Sequence, residues 1–313
     1  MKIYPSLILG IVCFFGDGLL CMNKADVNRQ NLLAPQGKIL EIKFGEPEDC
    51  DKSLLSTIIS EVCNHYPELK ELKIITLCSN TKAYSFDGVN FSNLEGLENL
   101  HLELNTIIRP EGMEGMVKGC KKLKKFYFKS FLTVGILELE CINWELFSGL
   151  CELHVISDQI TGLLSDNIGK VLGKKLKKFT FGGIENSLLI KIFLEKIDWR
   201  NFSMLEELTI IRFKITKKGV EKIGRNCLDL KCLGFISIIK GCCKVWSRID
   251  WQKFKKLKEI FIKDKHLYCK ESGGKVSSRL DEREKNSFDD FGCAKILKLP
   301  KGVKVCINGE EGL

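Results

Sequence analysis

The sequence predicts an α/β solenoid, in which an inner parallel sheet is stacked against an outer layer of helices. The chain has 313 residues, of which 44% are hydrophobic and 28% charged, a composition typical of a folded protein rather than a disordered one. Two repeating patterns carry the prediction, because they recur through most of the chain at a nearly constant interval.

The first pattern is an asparagine or aspartate followed by an aromatic residue, with apolar residues at fixed distances behind it. Its four copies begin at Asn90, Asn143, Asp198 and Asp250. The second pattern is a leucine with apolar residues three and five places later. The copies alternate, and their shared leucine recurs every 25 to 29 residues, at Leu69, Leu97, Leu123, Leu150, Leu176, Leu205, Leu230 and Leu257.

Short strands and helices follow from these spacings. The last two apolar residues of each copy lie two apart, so they point to one side of a strand. Ahead of two of the strands, Met113, Met116 and Val117 recur at helical spacing, as do Val220 and Ile223. Neither kind of element buries its apolar side alone, so successive copies have to stack around one continuous core.

Two segments carry the helical half of the repeat in full, and each has a cysteine near its end. They are residues 109–123, with Cys120, and residues 215–230, with Cys227. Both resemble the cysteine-containing leucine-rich repeat of F-box substrate receptors and their relatives, in the ribonuclease-inhibitor-like superfamily. The resemblance covers about residues 38–262 and implies a leucine-rich-repeat horseshoe. No F-box-like helical segment precedes the repeats, and the chain is also similar to secreted repeat proteins of intracellular parasites such as microsporidia.

Five regions are predicted along the chain. Residues 1–21 have the pattern of a signal peptide, because Lys2 precedes an apolar run too short to span a bilayer and small residues suit cleavage at Gly18. An uncleaved anchor, or a first strand that caps the solenoid, is the alternative. Residues 22–37 are a linker, 38–262 the solenoid, 263–292 a charged mobile loop and 293–313 a carboxyl-terminal cap with a closing strand. No other segment is apolar enough to cross a membrane, so no span is expected after signal removal.

Catalytic motifs are absent from the sequence, so we expect neither an enzyme nor a cofactor or metal. His101 and His154 fall at outward positions of strands two apart, with Tyr127 between them. Two solvent-facing histidines are therefore expected, rather than a shared metal site.

Cysteines and lysines receive a structural interpretation. Cys63, Cys120 and Cys227 occupy positions where a small apolar residue packs, whereas those near the carboxyl end are disulfide candidates in a secreted protein: Cys242, Cys243, Cys269, Cys293 and Cys306. The formal charge is +9, and lysine pairs recur before the strands. Glutamates on neighbouring strands predict weak ion pairs along this rim, and the aromatic residues fall at core positions, so no nucleic-acid partner is expected. The lysine pairs are therefore interpreted as a rim that faces solvent, and the alternative is that they bind an acidic protein or a glycan.

The candidate binding residues alternate with the core residues along the strands, which places them on the concave face. They are Lys73, Ile75, His101, Glu103, Tyr127, Lys129, His154, Ile156, Thr209, Ile211, Gly234, Ile236, Phe261 and Lys263. Their isoleucines are expected to form an exposed row. The sequence therefore predicts a secreted monomer that binds a protein partner through its concave sheet, as a parasite effector. An intracellular, cytoplasmic substrate-recognition or scaffold protein of a ubiquitin-ligase type is the alternative.

Overall fold

A computed structural model describes the repeats and part of the sequence on either side of them. The described residues are 11–15, 18–22, 39–44, 59–60, 62–76, 89, 91–104, 110–130, 138–157, 160–183, 194–213, 215–236, 243–263 and 299–307. The chain forms two compact units, Met1–Gln159 and Ile160–Leu313.

The sheet of the first unit combines a hairpin with a parallel ladder. Its strands are β1 (Ile11–Phe15), β2 (Gly18–Met22), β3 (Ile39–Phe44), β4 (Glu71–Thr76), β5 (Asn99–Leu104), β6 (Lys125–Ser130) and β7 (Glu152–Ile156). Strands β3 to β7 pair in sequence order and are parallel. Strand β1 is antiparallel to both β2 and β3. The helical segments are residues 59–60 and 62–65, helix α1 (Pro110–Gly119) and 3₁₀ helices at Ser92–Leu94, Glu138–Cys141 and Trp144–Phe147.

The second unit repeats this arrangement with parallel strands. They are β8 (Lys178–Gly182), β9 (Glu207–Ile211), β10 (Cys232–Ile236), β11 (Glu259–Lys263) and β12 (Lys304–Ile307), which pair in sequence order. The helices are α2 (Gly162–Leu172), α3 (Lys217–Asn226) and α4 (Cys243–Trp246), with 3₁₀ helices at Leu194–Lys196, Trp199–Phe202 and Trp251–Lys253. The predicted α/β solenoid class, with a parallel sheet and repeating strand–helix units, is thus confirmed.

Strand register places equivalent apolar residues of successive repeats side by side. In the first unit Leu72, Leu100, Phe126 and Leu153 are neighbours across the sheet, and each is at most 2% exposed. In the second unit the corresponding residues are Phe179, Leu208, Leu233 and Ile260, which are equally buried. The stacked core that the leucine spacing predicts therefore runs along each sheet.

The outer layer alternates between two kinds of helix. The repeats that begin with Asn143, Asp198 and Asp250 hold short 3₁₀ helices, and each of these side chains accepts a hydrogen bond from a backbone N–H two residues later. The following tryptophan is buried, and the Nε1–H of Trp199 donates to the Leu194 carbonyl over 2.8 Å. In these three copies the asparagine or aspartate of the first sequence pattern is therefore a helix cap.

Helix carboxylates connect α2 and α3 of the second unit to the repeat that follows each helix. Asp166 of α2 accepts a hydrogen bond from the backbone N–H of Asp198 at 2.8 Å. Glu221 of α3 accepts from the N–H of Asp250 at 3.1 Å and pairs with Lys253 at 2.9 Å. The Glu221 side chain is only 9% exposed, so this contact is part of the packed interior.

The structure describes some of the predicted regions only in part. Strands β1 and β2 lie mostly within the predicted signal peptide, whose cleavage stays a prediction. The linker at 22–37 lies outside the described residues apart from Met22, and the charged loop at 263–292 does so apart from Lys263. The predicted closing strand is present as β12, which pairs in parallel with β11.

Candidate binding surface

The concave face of the first unit carries two rows of side chains from neighbouring strands. The middle row contains Glu41, Lys73, His101, Tyr127 and His154, which stand side by side in strand register. The outer row, two residues further along each strand, contains Ile75, Glu103, Lys129 and Ile156. Parallel strands lie about 4.8 Å apart, so adjacent side chains in a row are in contact range.

Three aromatic rings occupy the centre of the middle row. The rings of His101 and Tyr127 are stacked, with centroids 3.9 Å apart and an interplanar angle of 11°. The ring of His154 follows on the other side of Tyr127 at 5.6 Å, tilted by 35°. We call His101, Tyr127 and His154 the ring cluster. The sequence placed Tyr127 between the two histidines, and the structure confirms this order.

Carboxylates hold both imidazole rings of the ring cluster. His101 Nε2 lies 2.8 Å from Glu103 Oε1, and His154 Nε2 lies 2.9 Å from Glu152 Oε1. Each carboxylate is two residues away from its histidine, so it points to the same side of the strand. Because the rings are fixed by both stacking and hydrogen bonds, little rotamer freedom is left for a partner to restrict.

Lysines neutralise the same carboxylates. Lys129 Nζ lies 3.3 Å from Glu103, and Lys125 Nζ lies 3.3 Å from Glu152. The hydrogen bond from His101 lowers the pKa of Glu103 to about 2, against the effect of burial and with help from Lys129. Burial raises the pKa of Glu152, but its hydrogen bonds to His154 and Lys125 outweigh this, and the net pKa is lowered. Both carboxylates are therefore ionised at neutral pH.

Tyr127 lies between the two imidazole rings of the ring cluster and is partly buried. Burial, followed by the charge of Glu103, raises the pKa of its phenol, so the hydroxyl stays protonated at neutral pH. Within the described residues this hydroxyl has no hydrogen-bond partner. A neutral donor on a fixed aromatic ring is a group that protein interfaces use often.

The second unit presents a different concave face. Its middle row contains Thr180, Thr209, Gly234, Phe261 and Cys306 in register. The Phe261 ring lies directly over Gly234, where an added Cβ would fall 2.0 Å from a ring carbon. Glycine is therefore required beneath this ring. Lys263 is exposed at the end of the neighbouring row.

The predicted exposed row of isoleucines is wrong in two respects. Ile75 and Ile211 are each only 9% exposed, because side chains of adjacent strands shade one another at this spacing. In the first unit the ion pair of Glu103 and Lys129 also separates Ile75 from Ile156. In the second unit Ile211 and Ile236 are adjacent. The row is therefore interrupted rather than continuous.

The rim of the first unit matches the prediction of alternating charges. Lys121 pairs with Glu95 at 2.6 Å and Lys124 with Glu98 at 2.7 Å, and both lysines are well exposed. Exposed pairs of this kind contribute about 0.2–1 kcal/mol each. They join successive repeats through their side chains, so these charges are already used within the chain.

Three cysteines lie where the sequence placed them. Cys63, Cys120 and Cys227 are buried free thiols, and burial raises the pKa of each to about 12. Cys306 is a partly exposed free thiol, whereas Cys242, Cys269 and Cys293 lie outside the described residues. Among the described residues no group of three or more histidine, cysteine, aspartate or glutamate side chains could hold a metal ion.

Comparison with known protein sequences assigns no family to this chain, so its class is defined by its fold alone. No model of a protein family matches the chain, and no curated protein matches its sequence. In the part of the chain that the structure describes, none of the helices has the length and apolar character needed to cross a membrane. The parallel sheets and regular strand–helix units are those of a repeat solenoid of the leucine-rich-repeat kind.

Proposed function

We propose that this chain is a secreted leucine-rich-repeat protein that binds a protein partner through its concave sheet, with the ring cluster of the first unit as the centre of the interface. The observation that carries the proposal is the fixed geometry of His101, Tyr127 and His154, which are partly exposed on the concave face of the first unit. Pre-ordered aromatic side chains form binding hot spots, because little conformational entropy is lost when a partner covers them.

The charges around the ring cluster support a polypeptide partner. Glu103 and Glu152 are each matched by a histidine and a lysine, so this strip has no unbalanced charge that would attract a simple ion. Recognition at such a surface rests on ring packing and on a few hydrogen bonds. Both are typical of the centre of protein interfaces.

Secretion and an effector role belong to the proposal. They are supported by the apolar start of the sequence and by the similarity to secreted repeat proteins of intracellular parasites. In this role the partner is a host protein, and the chain acts by binding it without catalysis. Determining the amino terminus of the product released from a eukaryotic secretory host tests this part.

One observation favours the second candidate, an intracellular substrate-recognition or scaffold protein of a ubiquitin-ligase type. Strand β1 pairs with both β3 and β2, which gives Ile11–Phe15 a place within the first sheet. A chain that keeps these residues would work inside the cell that makes it. Retention of Met1 in the product of the native cell would support this candidate against the secreted one.

Photo-crosslinking tests the interface itself. A benzophenone amino acid replaces Tyr127 in the full chain, and in a control it replaces Lys118, which is exposed on helix α1 of the same unit. We expect a covalent adduct with one partner protein at position 127 and none at position 118. In a direct binding assay with that partner, Tyr127→Ala then weakens binding about 30-fold, as for an interface hot spot. Equal adducts at both positions, or unchanged binding, would contradict the proposal.

A further inference from the structure

The turns that lead into the strands carry different charge balances in the two units. In the first unit the turns entering β4 to β7 hold five lysines and five glutamates: Lys70, Lys121, Lys122, Lys124, Lys125, Glu68, Glu71, Glu95, Glu98 and Glu152. In the second unit the turns entering β10 to β12 hold six lysines against two carboxylates: Lys231, Lys255, Lys256, Lys258, Lys301, Lys304, Asp229 and Glu259. We call this second set the basic rim.

Backbone hydrogen bonds bring the basic rim together. The N–H of Lys258 donates to the Lys231 carbonyl at 2.8 Å, and the N–H of Lys304 donates to the Lys258 carbonyl at 2.8 Å. Strand register also aligns Glu259 with Lys304, which brings the turn holding Lys301 beside the turn holding Lys256. The lysines therefore lie on adjacent strands about 4.8 Å apart, rather than scattered over the surface.

Several lysines of the turns, in both units, form an ion pair with a carboxylate of the preceding repeat. Lys124 pairs with Glu98 at 2.7 Å, Lys231 pairs with Glu206, and Lys256 pairs with Asp229 at 2.5 Å. These contacts form a ladder in which ammonium and carboxylate groups alternate from strand to strand. Carboxylates are therefore the groups that the lysines of these turns bind within the chain.

The ladder is incomplete in the basic rim. Within the described residues the ammonium groups of Lys255, Lys258 and Lys301 have no carboxylate partner, and all three side chains are exposed. At the register of Lys258 the next strand supplies Val303, where the earlier repeats, apart from the one with Cys151, supply a charged residue. In the part of the chain that the structure describes, the ladder thus ends with three lysines that are not matched by carboxylates.

We propose that the basic rim binds an acidic polypeptide segment, whose aspartate or glutamate side chains continue the ladder at Lys255, Lys258 and Lys301. Carboxylates of such a segment would extend the lysine–carboxylate pairing that already joins successive repeats of the chain. Lysines, unlike arginines, offer no forked pairing to phosphate groups, and the aromatic residues that directly precede the lysines of the turn into β11, Trp251 and Phe254, are buried. Base stacking is therefore not available here. The inference rests on the proposed function only in taking the partner to be a polypeptide, and it concerns a surface separate from the ring cluster.

Fluorescence anisotropy with a labelled glutamate-rich peptide tests the basic rim in the full-length chain. The variant K255Q/K258Q/K301Q is compared with K121Q/K122Q/K124Q, which removes the same charge from the balanced rim of the first unit. Each exposed ion pair contributes about twofold to affinity, so we expect the first variant to bind about eightfold more weakly. The control should stay within about twofold of the parent chain. Raising the salt concentration should weaken the parent more than the first variant.

Two outcomes would overturn the inference. Equal losses in both variants would show that only net charge matters, and tighter binding of heparin or of a single-stranded oligonucleotide than of the peptide would assign the rim to another kind of polyanion. Carbodiimide coupling provides a second measurement on the parent chain, because it joins peptide carboxylates to the lysines they contact. Coupling absent from Lys255, Lys258 and Lys301 would also refute it. A Tyr127→Ala variant that still binds the peptide separates this result from failure of the concave-face proposal.

Discussion

Glu221 offers the most direct test of how successive repeats are held together. Its side chain is 9% exposed, accepts the Asp250 N–H at 3.1 Å, and pairs with Lys253 at 2.9 Å. Lys217 and Arg225 lie further away, at 3.7 Å each, and are largely exposed. Replacement by alanine would leave a backbone donor without a partner in the packed layer and would remove the carboxylate from its lysine.

The size of the effect follows from these contacts. A hydrogen bond to a charged group is worth about 1.5–3 kcal/mol, and an orphaned buried donor costs a similar amount. Lys253 also pairs with Asp250 at 3.1 Å and keeps that partner, so the full cost of breaking a buried ion pair does not apply. We expect Glu221→Ala to lower the free energy of unfolding by about 2–3 kcal/mol, which corresponds to roughly 5–10 °C in melting temperature.

The matched control is Glu114→Ala in α1. Glu114 occupies the equivalent helix position, but its side chain is 30% exposed and contacts Lys118 at 3.4 Å. We expect a loss of at most about 0.5 kcal/mol for this variant. Urea unfolding followed by tryptophan fluorescence measures both, since Trp251 directly follows Asp250. A loss below about 1 kcal/mol for Glu221→Ala, or equal losses for the two variants, would refute the role assigned to the helix carboxylate.

Three further predictions concern packing, pH and thiol reactivity. Gly224→Ala places a Cβ 2.7 Å from a buried phenylalanine ring and should destabilise by about 1–3 kcal/mol, whereas Gly115→Ala meets nothing within 4 Å and should be neutral or stabilising in the same melts. The folded-state pKa of Glu103, about 2, lies below its ordinary value, so its stabilising effect is full above about pH 4.5 and is lost as the pH falls towards 2. Glu103→Gln should flatten acid unfolding in that range, and an unchanged profile would contradict this. Iodoacetamide at pH 8 should label the partly exposed Cys151 well before the buried Cys120, and equal rates by mass spectrometry would contradict the burial.

The fold could be predicted because the repeat spacing determines both strand direction and core composition. Residues two apart on a strand share a face, so Leu100 and Leu102 had to point inward together, and the constant interval had to align each copy with the next. The sequence also showed the helical half of the repeats with α1 and α3, through one apolar stripe that includes Met113 and another that includes Val220. These are local signals, and the structure bears them out.

The outer layer of the repeats with 3₁₀ helices was harder to anticipate. Only eight residues separate Asp198 from the start of β9, which leaves room for a single 3₁₀ turn and too little for an apolar stripe with a helical period. The capping role of the aspartate was nonetheless visible in principle. An aspartate or asparagine immediately before a helical turn is a common cap, and the pattern recurs at Asp250 and Asn143.

Exposure on the concave face depends on neighbours that no single copy of the repeat reveals. Ile75 and Ile211 alternate correctly with core residues, yet both are buried because the flanking strands stand so close. The carboxylate partners of the histidines could have been found from sequence, because Glu152 and His154 lie two apart on one strand. Whether His101 or His154 would stack more closely on Tyr127 could not be predicted from the sequence, because it depends on side-chain rotamers.

The ring cluster and the basic rim differ in how they hold charge, and this gives them different kinetic signatures. Around Tyr127 the charges are matched within the chain, so changes there should act on the dissociation rate, as for packed contacts at the centre of an interface. Lys258 is exposed and has no carboxylate partner among the described residues, so changes there should act on the association rate and on its dependence on salt. If one partner uses both surfaces, the two groups of variants will separate in a single set of association and dissociation measurements. If a variant of either surface changes the rate assigned to the other, the charge pairing described here does not determine how that surface binds.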